Sequence, residues 1–195
     1  MPRLSRKQIL YNNCYAHVYA RALEKYPVFE EPDDFEYFKN LLLFFKKKNS
    51  FRIFHYCLMH THFHLAVQIQ DVDVFSKGMK AIKQQYAVRV REEKKKEGPV
   101  WWGRFGSQLI ENDQYLYACG LYIEQNPVKA GLVNQPEKWG YSSSAHYFLG
   151  TPDPLIDPYE RPSRKIVDPL VRKLNLEKGA YVGSSLGQLY AREMR

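Results

Sequence analysis

Cys57-Leu58-Met59-His60-Thr61-His62-Phe63-His64-Leu65-Ala66-Val67-Gln68 packs half of the chain's six histidines into five residues. From His62 onward the residues alternate: Phe63, Leu65, Val67 and Ile69 fall on one side, and His62, His64, Ala66, Gln68 and Gln70 on the other. Successive side chains of a strand point to opposite faces, so this spacing predicts a buried apolar row and two imidazoles standing together on the opposite face. Two neutral imidazoles at i and i+2 make half of a metal site. A pair of surface histidines on a half-exposed strand has the same spacing.

Working outward, Phe51 to Met59 reads as the preceding strand, and a turn at His60-Thr61 makes a hairpin with the strand from His62 to Gln70. The turn lacks the Gly or Asn that hairpins favour. An unbroken strand would instead put His60, His62 and His64 on one face, as in a three-histidine zinc hydrolase site. The hairpin is preferred because a strand from 51 to 70 is far longer than the usual five or six residues.

Residues 12 to 22 read as a first strand, with helix as the competitor. Asp33 and Asp34 precede apolar residues spaced at three and four, and Lys46-Lys47-Lys48 ends that run, which predicts a helix over about 33–48 with charges matched to its dipole. Asn49-Ser50 breaks the pattern. Phe75, Met79, Ile82, Tyr86 and Val90 predict a long amphipathic helix from Val72 to about Lys96, stopped by Gly98-Pro99. The stretch from Trp101 to Ile110 holds a strand from about Phe105, and its paired tryptophans suit either the core or base stacking. Asp113 is expected to cap a helix reaching Gln125 or Asn126.

The order β, α, β, β, α, β, α predicts an α+β, ferredoxin-like (palm-like) antiparallel sheet with helices packed mainly on one face. It occupies residues 1–150. The proline-rich stretch after Thr151 opens a C-terminal appendage, 151–195, with two weak helices near 165–175 and 184–194.

The chain has 195 residues and a net charge of +8, which points to an anionic partner, most simply nucleic acid. Fifteen tyrosines supply rings on which unpaired bases can stack, although many must be core. Three cysteines without a Cys-x-x-Cys pair argue against a disulfide framework or a structural zinc cluster and fit a reducing cytosol best. The basic N-terminus has no apolar stretch of signal-peptide type, and nothing reaches membrane-spanning length, so a cytoplasmic protein is expected.

A second constellation lies in Gly120-Leu121-Tyr122-Ile123-Glu124-Gln125-Asn126-Pro127-Val128-Lys129-Ala130-Gly131. Tyr122 and Asn126 are four apart and share a helical face. A phenol can attack phosphorus, and an amide oxygen can complete a metal shell begun by two histidines. A core-edge tyrosine and an Asn-Pro N-cap starting the next turn are the structural alternatives.

Met59-x-x-His62-Phe63-His64-Leu65, Trp102-Gly103-Arg104-Phe105, Tyr122-Ile123-x-x-Asn126-Pro127-Val128-Lys129-Ala130-Gly131-Leu132-Val133 and Trp139-x-Tyr141-Ser142-Ser143, in that order, resemble the single-tyrosine HUH transposases, closest to the REP-associated branch. The similarity spans about residues 14–148. It implies a metal-dependent transposase that cuts and rejoins single-stranded DNA through a 5′-phosphotyrosine. Tyr122 would be the nucleophile, His62, His64 and Asn126 the ligands of Mg²⁺ or Mn²⁺, and single-stranded DNA with hairpin structure the partner of a monomer or homodimer. Members of the family usually carry Pro-Asn where this chain has His60-Thr61, and other branches place a glutamine four residues after the tyrosine, which leaves Gln125 as the alternative third ligand. Lys80, Lys83, Trp102 and Arg104 are the candidate nucleic-acid contacts, with Gln84 beside them. A catalytically inactive binder of DNA or RNA hairpins on the same fold is the alternative function.

Overall fold

The computed structural model describes residues 9–48 and 51–160. Strand β1 (Cys14–Arg21), helix α1 (Pro32–Lys48), strands β2 (Phe51–Met59) and β3 (His62–Ile69), helix α2 (Val72–Lys94), strand β4 (Gly106–Ile110) and helix α3 (Asp113–Glu124) follow in the expected order. Two short helices come after them, α4 (Asn126–Lys129) and α5 (Ser144–Leu149). The strands form one antiparallel sheet in the order β2-β3-β1-β4, the ferredoxin-like arrangement. Among the described residues no helix is long and apolar enough to cross a membrane.

The β2–β3 hairpin does turn at His60-Thr61, with Met59 paired to His62. Tertiary contacts take the place of turn chemistry. The Thr61 carbonyl accepts from the Ala22 N–H at 2.7 Å, and the His60 carbonyl accepts from the N–H groups of Val28 (2.7 Å) and Phe29 (3.0 Å).

One face of the sheet carries Phe63, Leu65, Val67 and Ile69, all fully buried, together with Ala16 and Val18 from β1 and Ile53, Tyr56 and Leu58 from β2. Helices α1 and α2 cover it with Phe35, Phe38, Leu42, Phe75, Met79, Ile82 and Tyr86. Each such side chain contributes roughly 1.5–3 kcal/mol on burial, so this layer is the main source of stability. Asp71 starts α2, its side chain accepting from the Val74 N–H. At the C-terminal end of α1, Lys46 does more than oppose the dipole: its Nζ donates to the Leu155 carbonyl at 2.9 Å and pairs with Asp157 at 2.9 Å.

The opposite face carries His62 and His64, and α3 lies across part of it. Leu116, Cys119 and Ile123 pack on Phe54, Cys57, Met59, Ala66 and Ile110 in a second, smaller core. A shift in the β2–β3 register between Ile53 and His55 inserts an extra residue, so that both Phe54 and His55 meet α3 or its surroundings. Helix α3 is capped by Asn112, whose side chain accepts from the Tyr115 N–H, and not by Asp113, which lies in the first turn.

The first residues beyond 150 pack onto the outer edge of β2. Leu155 enters the core, Asp157 accepts from the Ile53 N–H at 2.9 Å, and its own N–H donates to the Ile53 carbonyl at 2.8 Å. Farther along the same edge the Leu58 N–H donates to the Tyr141 carbonyl and the Ser143 N–H to the Tyr56 carbonyl. These contacts occupy backbone groups that a bare edge strand would offer to another chain. Met1 to Gln8, the Asn49-Ser50 break and the expected helices near 165–175 and 184–194 lie outside the described residues.

Candidate functional site

The strand alternation that buries Phe63 and Leu65 places His62 and His64 on the α3 side of the sheet. The register adds neighbours. Tyr19 lies opposite His64, Arg21 opposite His62, and Gln108 opposite His17, so β1 and β4 extend the same polar row. His17 Nε2 and His64 Nδ1 are 2.9 Å apart, and the two rings stack with centroids 5.0 Å apart. His62 lies nearly perpendicular to His64 at 5.0 Å, and its Nδ1 is 3.0 Å from Thr61 Oγ1.

Burial holds these imidazoles neutral. It lowers His17 to about 3 and His62 to about 4, with the Arg21 charge adding to the effect on His62. His64 falls well below the ordinary histidine value, through burial first and then through His17, His62 and Lys129. A neutral ring is the state a metal ligand needs. His62 and His64 each engage Nδ1, the first with Thr61 Oγ1 and the second with His17 Nε2.

Tyr122 is half-buried on α3, and the Lys129 ammonium sits 4.0 Å above its ring centroid. Lys129 also bears on His64, which links the turn after α3 to the histidine row. Partial burial lowers the Lys129 amine to about 8, while the residue as a whole stays open to solvent, which limits the loss of charge. Asn126 is not an N-cap: Gln125 occupies that position without a side-chain bond, and Asn126 Nδ2 points back to the carbonyls of Tyr122 (3.1 Å) and Ile123 (3.0 Å). Its nitrogen thus closes the end of α3 and its Oδ1 remains for other use. Gln125 is half-buried beside it.

Helix α3 is pinned behind this site by a buried network. His55 Nδ1 lies 2.7 Å from Glu124 Oε1, the Ser143 hydroxyl donates to the same oxygen at 2.6 Å, and the Tyr159 hydroxyl meets His55 Nε2. Gly120 is needed for the approach: a Cβ there would stand 2.3 Å from His55 Nε2.

His60 takes no part. Its Nδ1 donates to the Phe29 carbonyl at 2.6 Å, and its ring packs edge-on against Phe35 and Trp139. Among the described residues no three His, Cys, Asp or Glu side chains gather as a ligand set, so the three-histidine arrangement is not formed.

The four expected nucleic-acid contacts separate. Lys80, Trp102 and Arg104 are exposed. Lys83 is buried, with Nζ donating to the Gly103 carbonyl at 2.9 Å and lying 5.4 Å from the Trp101 ring. The tryptophan pair divides as well. Trp101 is core and donates Nε1–H to the Lys83 carbonyl, and Trp102 faces solvent. The residue that sequence reasoning missed is His17. Its signal was present in the alternation of Tyr15, His17 and Tyr19 on β1, but only the β1–β3 register brings it to His64.

The chain is 31% identical over 97 residues to a REP-associated tyrosine transposase of Haemophilus influenzae (strain ATCC 51907 / DSM 11121 / KW20 / Rd), covering 45% of this chain and 55% of that protein. The chain therefore matches only about half the length of that curated relative. A solved structure of a REP-associated tyrosine transposase bound to a REP hairpin superimposes with a TM-score of 0.64 at 18% identity, covering 84% of this chain and 96% of that one, a likeness of fold. Residues 10–126, more than half of the chain, match the family described as "Transposase IS200 like", and the chain belongs to that family.

Proposed function

We propose that the chain is a metal-dependent single-stranded DNA endonuclease and strand transferase with Tyr122 as its nucleophile. The observation that supports this is that α3, which carries Tyr122, packs on the His62/His64 side of the sheet against Ala66 of the same strand, with the Lys129 amine 4.0 Å from the Tyr122 ring centroid.

The donor set fits a divalent cation. His62 and His64 offer Nε2, and Asn126 offers Oδ1, with Gln125 as the alternative. For His64 to offer Nε2, its proton must sit on Nδ1 and be donated to His17 Nε2, which the 2.9 Å contact allows and neutral His17 can accept. Bound Mg²⁺ or Mn²⁺ supplies charge neutralisation at the scissile phosphate. Imidazole ligands alone would favour zinc or manganese, so Mn²⁺ is the metal to try beside Mg²⁺.

The Tyr122 oxygen attacks phosphorus in line with the 3′ oxygen. The P–O bond to tyrosine forms as the P–O3′ bond breaks, the phenolic proton leaves to solvent, and the 3′ oxygen takes up a proton. The 5′-phosphotyrosine keeps the bond energy, so a second 3′ hydroxyl can reverse the step and join strands. The positive Lys129 favours developing tyrosinate. Strands with hairpin structure in the cytoplasm are the proposed substrate, bound by a monomer or homodimer, and the solved relative carries a REP hairpin.

The test is an oligonucleotide nicking assay with Mg²⁺ or Mn²⁺, read as a covalent protein–DNA band. The band is expected with the wild-type chain and absent with Tyr122→Phe. Tight hairpin binding with no such band in either protein would reject the enzyme and leave a binder of DNA or RNA hairpins.

A further inference from the structure

Trp102 keeps 57% of its surface exposed although Trp101, one residue earlier, is buried at 8%. An indole left in water forgoes roughly 1.5–3 kcal/mol of burial, so its position calls for a cause. The chain on either side is fixed. The Trp102 N–H donates to the Arg21 carbonyl at 2.9 Å, the Gly103 N–H to the Trp101 carbonyl at 2.8 Å, and Lys83 Nζ holds the Gly103 carbonyl. Gly103 has φ of +63°, a conformation that glycine tolerates and that turns the chain away with the indole outside. The ring is thus presented on a braced loop.

Its neighbour carries charge. The Arg21 guanidinium lies 5.2 Å from the Trp102 ring centroid, and Arg21 is the last residue of β1, paired across the ladder with His62. An exposed aromatic plane, a cation beside it and the candidate catalytic histidine therefore follow one another along the same end of the sheet.

We infer that Trp102 and Arg21 form a subsite for one unpaired nucleotide of a single strand, the base stacked on the indole and its phosphate drawn to the guanidinium, next to the His62 end of the site. Every base has a π face, so such a platform holds a strand without reading its sequence. The cation–π pair alone would be a surface contact with no ligand. This inference rests on the chain's acting on single strands.

The test measures binding by fluorescence anisotropy in a Tyr122→Phe background, which forms no covalent link. The probes are a labelled oligothymidine strand and a strand of the same length made of abasic units. Trp102→Ala is expected to weaken oligothymidine binding about tenfold, with Trp102→Phe restoring most of it and the abasic strand binding both proteins alike. Arg21→Gln is expected to weaken both strands. The subsite is overturned if Trp102→Ala binds oligothymidine as tightly as its parent, or loses the same factor on the abasic strand. A protein that shows the base-dependent loss, yet whose wild-type form yields no Tyr122 adduct, rejects the strand-transfer reading and keeps the subsite. An adduct without base-dependent loss does the reverse.

Discussion

At the scale of single residues, the site is a matter of which nitrogen faces where. Ring neutrality follows from burial, and the contact of His17 with Nδ1 of His64 allows the tautomer that the proposed metal site needs. A partner that orients a metal-binding histidine is worth about 10–100-fold in metal affinity. His17→Ala should therefore weaken Mn²⁺ binding by that order, as read from the free-ion EPR signal, and His17→Gln, whose amide oxygen can still accept from Nδ1, should retain most of it. Equal affinity in His17→Ala and wild type would remove His17 from the site. None of this was legible from His17 alone, because its role depends on a cross-strand neighbour 47 positions away. His62 and His64 were legible, since strand alternation is a local property.

At the scale of elements, the position of Tyr122 depends on how closely α3 lies on β2. The Glu124–His55 hydrogen bond is almost wholly buried, and leaving one buried partner unsatisfied costs about 1–3 kcal/mol. Gly120 makes the close approach possible, and the His55 ring cannot swing aside because Glu124 and Tyr159 hold both of its nitrogens. Gly120→Ala should cost about 1–3 kcal/mol by overpacking, measured by urea unfolding. It should also slow adduct formation at temperatures where the variant is fully folded, since the displaced helix carries Tyr122. An unchanged adduct rate would mean that α3 can shift without loss.

Helix α1 offers a pH test. Burial alone would raise the Asp34 carboxyl, but the Glu30 N–H, the Lys94 side chain and the Glu31 N–H outweigh it and hold the pKa below its ordinary 3.8. A carboxylate depressed in the folded state stabilises fully above the unfolded pKa, and that contribution is lost as pH falls through the folded value. The stability gap between wild type and Asp34→Asn should thus be flat near neutrality and shrink below 3.8. A gap that persists unchanged into stronger acid would assign the effect to packing.

For the whole molecule, the surplus of +8 sets how a strand is met before any specific contact forms. Each phosphate neutralised on a single strand contributes a slope of about 0.7 to the fall of log affinity with log salt. Oligothymidine affinity should drop linearly on that plot with a slope of several such units, followed by anisotropy titrations at rising NaCl. A flat plot would show that the positive surface and the strand do not meet.

The sequence by itself determined the elements and their order. Two-residue and three-to-four-residue periodicities report which side of each strand or helix is apolar, and that is decided over a few neighbouring residues. The hairpin at His60-Thr61 was placed by strand length although its turn residues argue against it, and the Ala22, Val28 and Phe29 N–H groups explain why it holds. Only the tertiary structure decided that Lys83 serves Gly103, that Trp101 and Trp102 part ways, and that the chain beyond residue 150 reaches the β2 edge. Each of those outcomes turns on a hydrogen bond or a packing contact whose partner lies on another element. Local spacing carries no record of such partners, because the free energy that selects them exists only once the sheet has brought the elements together.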